Sequence, residues 1–121
     1  METVLVVGND PVRRNLVIQA LNRSNYLVLE ASQIEARQIA AVFKGEIHLM
    51  IVDFARNDRA RADTVTEVAL VRPRIRVLML GETPEAKVAI KFLAERRDFA
   101  YLPKAFSPES LIETVLKTLD R

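Results

Sequence analysis

The sequence predicts an α/β fold: five βα units forming an open parallel sheet with helices on both faces. Three observations carry that expectation. Short apolar runs alternate with segments of helical periodicity along the whole chain. Several of the runs are apolar at every position, as in strands covered on both faces. The helical segments tend to open on Asp, Ser or Thr followed by proline and sometimes an acid, the pattern of a capped first turn.

The elements follow in order. Strand one, Val4–Val7, runs into the polar elbow Gly8–Asn9–Asp10. Asp10 then caps a helix with Pro11 at its first position and an apolar stripe of Val12, Leu16, Ala20 and Leu21. Strand two is Tyr26–Leu29, and helix two carries Ile34, Ile39, Val42 and Phe43, closing toward Gly45. Strand three, Leu49–Val52, leads into Asp53. Helix three shows Val65, Val68, Ala69 and Val71 and stops before Pro73. Strand four is Ile75–Leu80, followed by Gly81–Glu82–Thr83 and a helix opening on Thr83–Pro84–Glu85 with Val88, Ala89, Phe92 and Leu93. Strand five is Phe99–Leu102. Beyond Pro103–Lys104–Ala105, a last helix starts at Ser107–Pro108–Glu109 and carries Leu111, Ile112, Val115, Leu116 and Leu119.

With 121 residues, residues 1–121 are expected to form one domain that buries its core without staples. The absence of cysteine removes disulfides, thiolate zinc sites and thiol catalysis. A single histidine, His48, argues against a histidine metal site or a serine-type triad. No apolar run approaches the ~20 residues of a membrane span and no cleavable signal opens the chain, so a cytoplasmic location is expected. Net charge is +2, and the arginines cluster at 13–14, 56–61, 72–76 and 96–97 among interspersed acids. That pattern fits a solvated mixed-charge surface, with a nucleic-acid-binding module as the alternative. With three glycines there is no GxGxxG or phosphate loop, and no enzyme acting on a metabolite is expected.

Function in such sheets gathers at the carboxyl ends of the strands. Asp53 ends a buried strand, where a carboxylate is costly unless solvated, paired or metal-bound. Lys104 approaches it if strands three and five flank strand one. Two readings stand: a plain ion pair closing the sheet, or a phosphoryl acceptor with Lys104 neutralising phosphate oxygens.

Over essentially its whole length the chain resembles the receiver domain of bacterial two-component response regulators. The residues that carry the likeness are Val4–Val7 with its elbow and Pro11, Leu49–Val52 leading into Asp53, Tyr101–Leu102–Pro103–Lys104–Ala105–Phe106, and the ending Ser107–Pro108–Glu109–Ser110–Leu111. The resemblance implies a flavodoxin-like, doubly wound sheet of strand order 2-1-3-4-5. It further implies Asp53 as phosphoacceptor, Lys104 as phosphate-contacting cation and Tyr101 as the aromatic that moves on phosphorylation. The implied partners are a histidine kinase or phosphotransfer protein, an output domain met through the fourth and fifth helices, or a second copy of the chain.

Against that pattern the chain departs at several points. Gly8 and Asn9 stand where the family carries two magnesium-binding acids, and Gly81 stands where it carries a hydroxyl. Asp10 falls at a further acidic position, as an accessory acid, but its expected role is to cap the helix; Thr83 is likewise expected to cap. Ala105 replaces the proline after the lysine, so a trans bond is expected. The Pro-Gly pair beyond the acceptor is missing. A full receiver sets three carboxylates against one lysine, a formal −2; this chain sets Asp53 against Lys104, a balance of zero, or −1 with Asp10. Two unit charges at ~4 Å interact by ~4 kcal/mol at an effective dielectric of ~20. Magnesium held by Asp53, the Ala55 carbonyl and Asp10 is therefore expected to bind weakly. The expectation is a degenerate receiver that signals through protein contacts, with Asp53 phosphorylation weak or absent. The alternative is a conventional magnesium-dependent acceptor in which Asn9 and Asp10 suffice.

Overall fold

The structure, a computed structural model, describes residues 1–53, 59–81, 99–103 and 105–120, with 59–62 and 99 described by backbone alone. Its elements are β1 (Thr3–Val7), α1 (Pro11–Arg23), β2 (Leu27–Ala31), α2 (Gln33–Val42), β3 (Leu49–Asp53), α3 (Arg59–Val71), β4 (Arg76–Gly81), β5 (Phe99–Pro103) and α4 (Pro108–Leu119). The helix expected between β4 and β5, with Thr83, lies outside the described residues.

The five strands are parallel and lie in the order β2-β1-β3-β4-β5, a doubly wound, flavodoxin-like sheet. β1 is therefore flanked by β2 and β3, while β5 is an edge beside β4. Strands three and five do not flank strand one, the arrangement expected to bring Lys104 to Asp53; Lys104 itself lies outside the described residues. The reason is topological: the chain crosses once to place β2 outside β1 and then adds every later strand on the other side.

Alternation along the strands explains why they read as continuous apolar runs. Leu5, Val7, Met50, Val52, Val77 and Met79 face one side, packed with Ala36 and Ala40 of α2 and Val65 and Val68 of α3. Val4, Val6, Leu49, Ile51, Leu78 and Leu80 face the other, packed with Val17, Ala20 and Leu21 of α1 and Leu111 and Val115 of α4. In β1, β3 and β4 both faces are buried, so neither phase of the strand is polar, whereas the edge strand β2 is partly exposed and carries Glu30.

Two helix stripes turn out differently from expectation. Val12 and Leu16 are 72% and 62% exposed, and α1 buries Val17, Ala20 and Leu21 instead. A row of residues four apart drifts by ~40° per step on a helix of ~3.6 residues per turn, so the row 12–16–20 starts in solvent and reaches the sheet only at its end. In α2, Ile34 and Val42 are 92% and 65% exposed while Ala36 and Ala40 are fully buried. The small side chains are the contact face there.

The end of α2 is held from outside. The helix has no basic residue in its last turn, and its final carbonyls lack intrahelical donors. Arg72, just beyond α3, supplies one and also holds the turn that follows: Nε donates to the Ala40 carbonyl at 2.7 Å, Nη2 to that of the cap residue Phe43 at 2.5 Å and Nη1 to that of Gly45 at 2.6 Å. Gly45 sits at φ 141°, and a Cβ there would come within 3.1 Å of the Phe43 ring, so this turn requires glycine. Arg76 similarly donates to the Leu119 carbonyl at the end of α4.

Tyr26, buried under α1, gives the fold an alkaline limit. Burial, then the carboxylates of Glu2 and Asp120, push its hydroxyl above the ordinary value near 10.0. The folded state thus prefers the neutral phenol. This contribution is fully present below about pH 10 and is lost as pH rises through the higher folded value. The thermal midpoint is expected to fall between about pH 9 and about pH 11, and Tyr26→Phe to lessen that fall. An identical slope in the variant would remove Tyr26 as the cause.

Candidate functional site

The carboxyl ends of β1 and β3 lie side by side, with Val7 paired to Val52, so the elbow after β1 meets the residue that ends β3. Asp53 projects there with 13% of its side chain exposed. A Cβ added to Gly8 would sit 3.6 Å from the Asp53 Cβ, an ordinary contact. A Cβ at position 8 would thus point toward Asp53, beside which the resemblance implies an acid in its family.

The polar residues of the elbow are engaged elsewhere. The Asn9 Oδ1 accepts from the Gln33 backbone N–H at 3.0 Å, and its Nδ2 donates to the Gln33 Oε1 at 3.3 Å. Both ends of the amide are spent on the first residue of α2. Asp10 caps α1, accepting from the backbone N–H groups of Val12 at 3.0 Å and Arg13 at 3.4 Å. Its Oδ1 thus satisfies orphan donors of the first turn.

Among the described residues Arg13 reaches Asp53, a contact the sequence reading missed. The Arg13 Nη2 donates to the Asp53 Oδ1 at 2.7 Å, with the arginine side chain 26% exposed. Next to it, Arg14 pairs with Glu30 at 2.8 Å and also donates to the Gly8 carbonyl. A signal for Arg13 was present. The first turn of α1 contains no acid, although a helix N-terminus favours anions and disfavours cations. A basic residue in that position has a partner that overrides the helix dipole.

Magnesium takes oxygen ligands in near-octahedral geometry and leans on carboxylates. Gly8 offers no side chain, the Asn9 oxygen and the Asp10 carboxylate are bound to backbone donors, and Asp53 already carries a guanidinium. Among the described residues no three of His, Cys, Asp or Glu come together as a metal cluster. These residues do not fit the ion. The Ala55 carbonyl, Lys104 and the Lys104–Ala105 bond lie outside the described residues.

At the end of β4, Gly81 is buried and paired with Pro103 of β5. It supplies no hydroxyl, but its carbonyl accepts from the Tyr101 hydroxyl at 3.2 Å. The Tyr101 ring packs against the core on the α2 and α3 side of the sheet. Its polar end is thus satisfied by the position where the resemblance places a threonine or serine.

A cavity of about 460 Å³ opens between α1 and the start of α4, lined among others by Leu16, Ala20, Phe106 and Leu111. Arg13 and Asp53 also line it, so the ion pair is reached from this side. Of the arginine clusters, Arg13, Arg14, Arg72 and Arg76 are bound to carboxylates or carbonyls of the chain itself.

No family model matches the chain. The DNA-binding transcriptional regulator NtrC of Rhizobium meliloti (strain 1021) is 31% identical over 119 residues, 97% of this chain and 24% of that protein. The chain spans about a quarter of the length of the NtrC relatives it matches. Among solved structures, the chemotaxis protein CheY4 of Vibrio cholerae superposes with a TM-score of 0.81 at 27% identity, covering 98% of this chain and 99% of that one. A CheY-like response regulator receiver domain protein from Methanospirillum hungatei JF-1 gives a TM-score of 0.82 at 21% identity, covering 99% and 94%; at that identity the likeness is one of fold. The strand order, Asp53 at the end of β3 and likenesses that run the length of the chain in both sequence and fold lead to one conclusion: this is a receiver domain of the CheY-like response-regulator family.

Proposed function

We propose that this receiver is a module of a two-component or phosphorelay pathway that signals through protein–protein contacts, with phosphorylation of Asp53 weak or absent. The observation that carries the reading is the Arg13–Asp53 ion pair at 2.7 Å, in a pocket where Gly8 and Asn9 replace the expected acids. Transfer of a phosphoryl group leans on cations that neutralise its oxygens and on a carboxylate free to attack. A guanidinium hydrogen-bonded to that carboxylate holds the attacking lone pairs and repels a dication. The Tyr101 hydroxyl on the Gly81 carbonyl fits a switch that is already set, independent of a phosphate.

The module then acts without catalysis of its own. Its partners are a histidine kinase, a phosphotransfer protein, an output domain or a second copy of the chain, and the pathway implies a cytoplasmic setting. No described helix is long and apolar enough to cross a membrane. Exposed Val12 and Leu16 on α1 and Leu116 on α4, with the cavity between those helices, support contact on that side of the sheet. The face built with the helix before β5 lies outside the described residues.

The test is an NMR titration of labelled protein, first with millimolar magnesium and then with beryllofluoride as a mimic of aspartyl phosphate. No saturable shifts are expected at Gly8, Asn9, Asp53, Gly81 or Tyr101. Saturable shifts that spread from Asp53 to Tyr101 would restore the magnesium-dependent acceptor and overturn the proposal.

A further inference from the structure

We infer that Arg13 is a tethered cation standing in for the metal: its guanidinium supplies to Asp53 the positive charge that a divalent ion would bring. This rests on the reading of a metal-independent module and names the group responsible for it. Loss of the acids at positions 8 and 9 and the arginine at position 13 are then one arrangement, since each makes the other tolerable.

The geometry supports this on three counts. The guanidinium is bound directly to Asp53 at 2.7 Å, not at the longer range of general charge balance. Arg13 occupies the first turn of α1, capped by Asp10, where the helix dipole opposes a cation; the contact to Asp53 overrides that preference. A Cβ at position 8 would meet the Asp53 Cβ at an ordinary 3.6 Å, so a first side-chain atom is not what the backbone there excludes. With Arg13 already on Asp53, an acid at position 8 is not needed to hold a metal.

The arrangement makes a distinctive prediction about repair. Restoring the acids alone leaves the cation in place, so an entering dication still meets a guanidinium at the carboxylate. Gly8→Asp with Asn9→Asp is expected to bind magnesium at least tenfold more weakly than the same pair combined with Arg13→Met, as read from saturable NMR shifts. Equal affinities in the two variants would overturn the inference, and so would failure of both to bind when both are folded. Should Arg13→Met not fold, Arg13→Gln replaces it, keeping a polar side chain of similar reach without the charge. A measurement on the unaltered protein needs no variant: the guanidinium signals of Arg13 are expected to show slowed rotation and slow solvent exchange. A freely rotating, fast-exchanging Arg13 overturns the inference. The outcomes separate the two proposals. Magnesium binding by the unaltered chain defeats the proposed function, whereas the inference about Arg13 falls if removing its charge leaves magnesium affinity unchanged.

Discussion

Arg72→Ala is expected to cost the fold about 3 kcal/mol, measured as a lower urea midpoint with an unchanged slope. The side chain touches no part of the candidate site, yet it donates to three carbonyls, those of Ala40, Phe43 and Gly45. Each bond carries a formal charge, and charge-assisted bonds contribute ~1.5–3 kcal/mol where they are shielded from water. These are part-buried or exposed, so their sum is discounted. Truncation also leaves the end of α2 without a cation, because none of its own last-turn residues is basic. Arg72→Lys is expected to recover little, since a single ammonium cannot address carbonyls spread around a planar fork. Hydrogen exchange at residues 43–47 should rise in the alanine variant. A loss below about 0.5 kcal/mol, the range of an ordinary surface change, would mean that the three bonds are replaced by water at no cost.

The second large effect is expected from making α2 bigger where it is smallest. Ala36 is fully buried between α2 and the sheet, while Ile34 on the same helix is 92% exposed. Ala36→Leu forces three extra heavy atoms into a close-packed face and should cost ~2–3 kcal/mol. Ile34→Ala removes three carbon atoms from solvent and should change stability by less than ~0.5 kcal/mol. The ranking inverts what hydrophobicity alone suggests. If Ile34→Ala proved the costlier of the two, α2 would have to present the opposite face to the sheet.

That inversion shows where the sequence was legible and where it was not. The central strands were readable because burial on both faces leaves an unbroken apolar run, and the observed strand bounds differ from expectation by one or two residues, as at β2 and β4. The Asp10 cap was readable because a cap is a local contact, two or three residues away from its donors. The stripes of α1 and α2 were read only in part: Ala20 and Leu21 are buried as expected, but Val12, Leu16, Ile34 and Val42 are exposed, and close approach to the sheet in α2 selects Ala36 and Ala40, which the stripe left out. The contacts that give the site its character were out of reach for another reason. Arg13 meets Asp53 forty residues away and Asn9 meets Gln33 twenty-four residues away. A long flexible side chain does not announce its partner in a local pattern; only the fold brings the two together. Strand order 2-1-3-4-5 came with the family resemblance, not with the periodicity.

Ala105 bears on how this chain relates to its family through mutation. It stands at φ 70°, left-handed backbone that an L-residue other than glycine adopts at some cost. Proline is locked near φ −65° and cannot occupy that conformation. The replacement that would make the loop look most like its relatives is thus the one its backbone does not accept, unless neighbouring residues change first. Ala105→Pro alone is therefore expected to destabilise this loop, and to be tolerated only where neighbouring residues change with it.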